Sequence, residues 1–291
     1  MKQIPASILT LLAGIVITLV SLWVGQHHGL LPEQASEQAP LVDRFFSVMV
    51  TIGTALFLVV QGALIIFIIK FRRRSGDETD GLPIEGSIPL EILWTAVPAI
   101  IVIGLGIYSV DVYAQMGGFA PAGGMVAHHH TRPHHWFTPD AVAASLEPNS
   151  GLMAAPATLA KYGIGAAAGQ TDSADLTVNV TGLQYAWLFN YPDSGIVSGE
   201  LHVPLGQSVQ LNFTAQDVIH SFWIPQFRLK QDVIPGENTE LHFVATKVGT
   251  YPVVCAELCG GYHGSMRTQI IVHNPDEFAV WLQQNQIASH A

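Results

Sequence analysis

The only two cysteines of the chain, Cys255 and Cys259, lie together in the stretch CAELCGGYHGSM, which runs from Cys255 to Met266. Three residues separate the two thiols, three more precede His263, and two more precede Met266. Upstream, the run Asp217-Val218-Ile219-His220-Ser221-Phe222 sets a second histidine at the start of an apolar segment. Outside the cytoplasm, a cysteine pair of this kind ordinarily oxidises to a disulfide. The neighbours argue for a different use. Thiolate, imidazole and thioether donors in one loop form the soft ligand set that copper prefers. Zinc calls for four firm ligands in a tetrahedron and has little use for a methionine. A mononuclear blue copper site would take one Cys, two His and a weak axial Met. Two cysteines also allow a two-metal arrangement, because each thiolate has lone pairs to spare and can bridge. One histidine would then bind each copper, Met266 would be a weak ligand to one, and a backbone carbonyl, that of Glu257, would serve the other. Such a site shares one electron over two metals with little rearrangement, which suits electron transfer rather than bond-making.

The rest of the chain must hold that loop in place, and much of it is apolar. Of 291 residues 49% are hydrophobic and only 12% are charged, against about 25% charged in soluble domains. A membrane portion is therefore expected. The net charge of −10 argues against nucleic acid as a partner, which requires a basic face. Apolar stretches run from about Ile8 to Val24, Phe45 to Phe71 and Ile92 to Tyr113, and a span needs roughly 17–25 such residues. The first follows Met1-Lys2 and has the length of a signal peptide, but no small-x-small cleavage motif follows it, so it is expected to stay as a span. Lys70, Arg72, Arg73 and Arg74 close the second stretch and place that end in the cytoplasm. Everything after Tyr113 then lies outside.

Residues 116–170 are rich in Gly, Ala, Pro and His and read as a linker or insertion. They contain the run His128-His129-His130 and His134-His135, which is expected to be a solvated loop. From Leu176 the pattern turns to period two. Leu176, Val178 and Val180 alternate with polar residues, as do Val209, Leu211 and Phe213, and again Leu241, Phe243 and Ala245. Turn residues lie between them at Pro192–Gly195, Leu205-Gly206, Pro235-Gly236 and Val248-Gly249, and short strands at this spacing suggest a β-sandwich or barrel. Asn274-Pro275 opens a final helix with Phe278, Trp281 and Leu282 as its buried stripe. The resulting division is residues 1–40 (first span and loop), 41–115 (helical hairpin), 116–170 (linker) and 171–291 (the domain with the cysteines).

The pattern Cys255-x3-Cys259-x3-His263-x2-Met266, with Asp217 to Phe222 before it, resembles the dinuclear copper (CuA) domain of cytochrome c oxidase subunit II. Gly182-Leu183-Gln184-Tyr185-Ala186-Trp187 and the extra N-terminal span resemble the cyanobacterial type. The resemblance implies a membrane-anchored all-β protein, a cupredoxin-like Greek-key β-sandwich after two to three transmembrane helices. It implies copper binding by the side chains of His220, Cys255, Cys259, His263 and Met266 and by the Glu257 carbonyl. It also implies a magnesium ion, reached by the Glu257 side chain, at the boundary with subunit I. The implied partners are oxidase subunits I and III and a soluble donor, either a c-type cytochrome or a small blue copper protein. The implied location is a plasma or thylakoid membrane, with the copper domain on the periplasmic or lumenal side.

Three further residues gain a role through the resemblance. Tyr185 stands where the family has an aromatic residue, usually Trp, as its electron-uptake point. Trp187 is named with Tyr185 for electron entry, although the alternation Tyr185, Trp187, Phe189, Tyr191 by itself reads as core packing on one strand face. Glu91, at the cytoplasmic start of the third span, would by itself be a helix-capping acid, and the family has a glutamate there at the mouth of a proton channel into subunit I. The acids Asp172, Asp175, Asp193, Glu200, Asp217, Asp232, Glu237, Glu240, Glu257, Asp276 and Glu277 stand against Arg228, Lys230, Lys247 and Arg267 after Thr171, a balance able to steer a basic donor.

Oxygen reduction is not expected of this chain. It has no Cys-x-x-Cys-His haem motif and no histidine within the apolar stretches. A quinol oxidase subunit II would lack the copper ligands. A nitrous oxide reductase would need a large propeller for which this chain has no room. The remaining alternative is a membrane-anchored structural subunit with a disulfide and no copper.

Overall fold

The computed structural model describes residues 5–73, 75–76, 86–117 and 174–289, with side chains as far as Gln286. The histidine run, most of the expected linker and Arg74 lie outside the described residues. The chain divides into two compact units, residues 1–32 with 41–112, and residues 33–40 with 113–291.

The first unit is helical. Helices α1 (Ala6–His27), α2 (Ala39–Phe71) and α3 (Ile88–Gln115) are each long and apolar enough to cross a membrane. A helix satisfies its own backbone polar groups, and this is what a lipid environment demands. At 1.5 Å per residue, α2 is about 50 Å long, more than the roughly 30 Å hydrocarbon core. Hydropathy marks only the apolar part, so the span expected from Phe45 is the membrane-length portion of a helix that begins six residues earlier. Pro98 lies inside α3 without ending it, as proline often does in apolar helices. Helices α1 and α2 approach closely at Gly25, where a Cβ would lie 2.9 Å from the Ser47 carbonyl oxygen and collide with the Thr51 side chain.

The second unit is a sandwich of two five-stranded sheets. Its strands are β1 (Leu176–Leu183), β2 (Ala186–Tyr191), β3 (Ile196–Ser198), β4 (Leu201–Pro204), β5 (Ser208–Ala215), β6 (His220–Ile224), β7 (Leu229–Val233), β8 (Thr239–Val244), β9 (Gly249–Cys255) and β10 (Arg267–His273). One sheet has the order β3-β2-β1-β5-β8, the other β4-β10-β9-β6-β7. The chain changes sheet after β3, β4, β5, β7 and β8, which makes the connectivity Greek-key. Val178, Val180, Val209, Leu211, Phe213, Leu241, Phe243 and Ala245 are fully buried, so the period-two alternation does mark the inner face. The turns expected at Gly206 and Gly236 are there, and both residues have positive φ (74° and 82°), a conformation that glycine tolerates best.

Two features were not foreseen. The loop between α1 and α2 is stitched into the sandwich. Ala35 N–H donates to the Gln226 carbonyl (3.0 Å), Thr246 N–H to the Ala35 carbonyl (3.0 Å) and Glu37 N–H to the Val244 carbonyl (3.2 Å). Ser36 Oγ donates to the Phe227 carbonyl, and Lys247 pairs with Glu33. Second, Tyr185 lies on the β1–β2 turn and not on β2, so it leaves the alternation that Trp187, Phe189 and Tyr191 keep. Those three are buried.

The final helix α4 (Pro275–Ser289) begins as expected. Glu277, at its third position, accepts a hydrogen bond from the Asn274 N–H (3.2 Å), the return half of a capping box. Trp281 stacks on His202 with ring centroids 4.1 Å apart. His202 Nδ1 meets His273 Nε2 at 2.8 Å, a contact that requires at least one neutral ring. Tyr191 Oη accepts from the His202 N–H (2.7 Å) and donates to its carbonyl (2.9 Å). Burial, reinforced by His273, pushes the His202 pKa down from 6.5 to about 4. Unfolded His202 protonates near 6.5 while the folded residue resists until about 4. Its contribution to stability is thus whole above pH 6.5 and is lost as pH falls through that window. Scanning calorimetry of the purified protein should show a transition midpoint several degrees lower at pH 4.5 than at pH 7. The drop should be smaller in His202→Gln; an equal drop in both would clear His202 of the effect.

Candidate metal centre

The soft donors converge at one end of the sandwich because two strand ends and one loop meet there. His220 is the first residue of β6 and Cys255 the last of β9. The strands pair side by side, with Phe222 opposite Cys255. Fully buried Phe222 packs against Trp187, Phe189 and Phe213 at centroid distances of 5.3, 6.3 and 5.1 Å, and a buried ring of this kind contributes about 3 kcal/mol. The loop from β9 to β10 carries the other donors and closes on itself. Cys255 N–H donates to the Met266 carbonyl (3.0 Å), and Ala256 N–H to the Ser221 carbonyl (2.9 Å).

Both cysteines are free thiols, with Sγ atoms 3.9 Å apart, far beyond the bonded distance of about 2.05 Å. Around them lie His220 Nδ1, 3.9 Å from Cys255 Sγ, and His263 Nδ1, 3.5 Å from Cys259 Sγ. Met266 Sδ is 3.7 Å from Cys259 Sγ, and the Glu257 carbonyl oxygen is 3.3 Å from Cys255 Sγ. The ligand atoms of His220, Cys255 and Cys259 all fall within 4.8 Å of one another. Bonds of about 2.3 Å from a metal to each sulfur span a gap of this size. Two sulfurs, two imidazoles, a thioether and a carbonyl are a soft set suited to copper. The six atoms named from the sequence are thus brought together.

Most of the site is buried, and its ligands are held by surrounding residues. His220 is fully buried, and Met266 and Cys259 are nearly so. Burial first, and then the adjacent Cys255, push the Cys259 thiol up to about 11, so a metal must displace its proton on binding. Asp217 Oδ1 accepts from His220 Nε2 at 2.8 Å. This leaves Nδ1 free to face the sulfurs, the carboxylate–histidine arrangement of many metal sites. Asp217 also accepts from the Gln184 and Val218 N–H groups (2.6 and 2.7 Å). Burial works to raise its pKa, but the His220 and backbone hydrogen bonds outweigh it and hold the carboxyl below its usual range. Gln184 Nε2 donates to the Cys259 carbonyl. Gly260 follows with φ 137°, and a Cβ there would lie 2.6 Å from Tyr185 Oη and 2.7 Å from Gln184 Nε2. Only glycine fits this loop against the β1–β2 turn.

The remaining residues named from the sequence fall at different depths. Tyr185 is half-buried on the turn beside Gly260. Trp187 is 2% exposed, 5.9 Å from the His220 ring, and offers no surface to a partner. The Glu257 side chain turns outward to Lys230 Nζ at 3.6 Å. Lys230 also binds Asp232 (3.0 Å), which accepts from the Ser221 hydroxyl (2.7 Å). Glu91 is in the first turn of α3, in the helical unit. Sequence reasoning gave no task to Asp217 or to the Gln184 side chain. The Asp217-x2-His220 spacing was a usable signal, whereas nothing local marked Gln184.

A Greek-key sandwich with a soft metal site at its strand ends, in a chain with three membrane-length helices, defines a membrane-anchored cupredoxin-like protein. Residues 21–112 match the family described as the transmembrane domain of cytochrome c oxidase subunit II, and residues 196–274 match its periplasmic domain. A cytochrome c oxidase subunit 2 from Thermostichus vulcanus is 62% identical over 100% of this chain and 89% of its own length. The one from Synechocystis sp. is 50% identical over 97% and 84%. Among solved structures, the periplasmic domain of subunit II from Bradyrhizobium japonicum is 35% identical, covering 40% of this chain and 97% of its own (TM-score 0.38). The chain belongs to the cytochrome c oxidase subunit II family, and is a membrane protein with its C-terminal domain on the outer side.

Asp217→Ala should lower copper affinity roughly 10–100-fold, the usual cost of removing such a histidine partner, while the sandwich stays folded. Competition with a copper chelator measures this, and an unchanged affinity would show that the bond does not orient His220.

Proposed function

We propose that this chain takes single electrons from a soluble donor outside the membrane, through a dinuclear copper centre (CuA), and passes them to haem in subunit I. Oxygen reduction and proton pumping belong to that partner, and subunit III completes the assembly. The observation that carries this reading is the pair of free sulfurs 3.9 Å apart, each with its own imidazole Nδ1 within 4 Å. Copper, when bound, supplies a one-electron redox couple shared by two metals.

The chain's own residues do the rest. Cys255 and Cys259 would hold the copper through their sulfurs, His220 and His263 through their Nδ1 atoms, and Met266 and the Glu257 carbonyl would complete the ligand set. Asp217 fixes the His220 ring, and Gln184 and Gly260 lock the loop backbone, so little has to move when charge changes. Burial of His220, Cys259 and Met266 keeps water out.

Outside the copper site, the Glu257 carboxylate would hold a magnesium ion at the boundary with subunit I, in exchange for its contact with Lys230. Tyr185, on the turn against the ligand loop, receives electrons from the donor, a c-type cytochrome or a small blue copper protein. Trp187 acts behind it as a buried ring. The acid surplus of the domain attracts a basic donor, with a rate that falls as salt rises. Glu91 stands at the mouth of a proton path into subunit I.

Copper analysis of the assembled protein should give about two coppers in this subunit, and electron paramagnetic resonance should show one electron split by two copper nuclei. Cys259→Ser should abolish that pattern. No copper, with Cys255 bonded to Cys259, would establish the structural alternative instead. Separately, Glu91→Ala should slow oxidase turnover severalfold with copper content unchanged; normal turnover would remove Glu91 from the proton path.

A further inference from the structure

Tyr262 has no part in the roles assigned above, yet its placement is unusual. It directly precedes His263 and is 72% exposed, on a loop whose cysteines and methionine are buried. Its ring stands edge-on to Tyr185, with centroids 5.5 Å apart at 79°. Tyr185 is half-buried beneath it, with its hydroxyl end against Gly260. The two rings are therefore layered, Tyr262 outermost, then Tyr185, then the Cys259–Gly260 backbone. Asp217 binds the Gln184 N–H and so brings the exposed side chains of Val218 and Ile219 (37% and 48%) to the same turn. Exposed apolar side chains thus lie on segments that meet beside a ligand loop, on a domain whose acids far outnumber its bases. Exposed tyrosine is a favoured anchor residue in protein interfaces.

We infer that Tyr262 is the outer contact for the soluble donor, with Tyr185 as the ring that supports it, an inference that rests on reading the site as an electron-accepting copper centre. The occupant is a one-electron donor whose redox group reaches the surface inside an apolar ring bordered by basic residues. The apolar ring meets Tyr262, Val218 and Ile219, and the basic border meets the acidic domain. One electron leaves the donor, which is oxidised, and one arrives at the centre, which is reduced. No bond forms or breaks and no proton moves. Tyr262 is one peptide link from His263, so the contact joins the ligand set through the backbone as well as through Tyr185.

The test uses the assembled oxidase carrying Tyr262→Ser or Tyr262→Phe. Reduction of the copper centre is followed by stopped flow with two reductants: a reduced, basic c-type cytochrome, and hexaammineruthenium(II), which needs no docking. Tyr262→Ser should slow the cytochrome reaction about tenfold, the loss expected of an anchoring tyrosine. Tyr262→Phe should keep it within about twofold. The ruthenium rate and the copper resonance spectrum should match the unmodified protein in both variants. A cytochrome rate unchanged in Tyr262→Ser, with a normal spectrum, overturns this inference alone. Slowing with both reductants, or an altered spectrum, shows that Tyr262 shapes the ligand loop and also overturns it. Absence of the shared-electron spectrum in the unmodified protein removes the reading of the site, and this inference with it.

Discussion

Two sulfur atoms lie 3.9 Å apart without a bond between them, and two paired strands and the loop that follows place them there. Cys255 is fixed by the β6–β9 pairing and Cys259 by the loop that returns to β10. The two thiols are therefore placed by different parts of the fold. Gln184 holds the Cys259–Gly260 backbone, and the positive φ of Gly260 favours glycine there. Burial, and then the neighbouring Cys255, push the Cys259 thiol up. The cost of holding it is offset when a cation takes the proton's place.

Rigidity around the site comes from the aromatic core beneath it. Phe222 joins the two sheets at the residue facing Cys255, and Trp187 fills the space between Phe222 and His220. At Gly182 a Cβ would lie 3.1 Å from Trp187 and 3.2 Å from His220, so the β1 backbone approaches the ligand ring closely. Polar groups then fix what packing leaves free, as Asp217 does for the His220 tautomer. Labour is thus divided: apolar contacts set position and hydrogen bonds set orientation.

The far end of the sandwich is tied down differently. The strap from Glu33 to Pro40 adds backbone hydrogen bonds beside Phe227 and Val244, and α4 covers His202 and His273 through Trp281. Both attachments bury polar groups: Ser36 and His202 have hydrogen-bond partners, whereas the buried Gln38 side chain has none among the described residues. The His202–His273 pair makes one of them sensitive to acid, because a second proton on facing rings has no acceptor to meet.

Much of this was legible in the sequence, for physical reasons that differ by element. The three membrane helices followed from unbroken apolar length, which needs no tertiary partner to be read. The inner faces of β1, β5 and β8 followed from alternation, because side chains on a strand point to opposite faces whatever lies across the sandwich. The ligand loop was legible because its donors are close in sequence and chemically distinctive. Tertiary structure alone decided the rest. The α1–α2 loop carries no alternation, and its place against Val244 and Phe227 depends on a surface made by residues about two hundred positions away. Tyr185 continued an alternating pattern that the turn at Gln184 breaks, which no local count could detect. The pairing of Gln184 with Cys259, and of Tyr185 with Tyr262, joins residues more than seventy positions apart. Sequence specifies which groups can do the chemistry, but their distances and shielding from water arise only when separate strands close on one another.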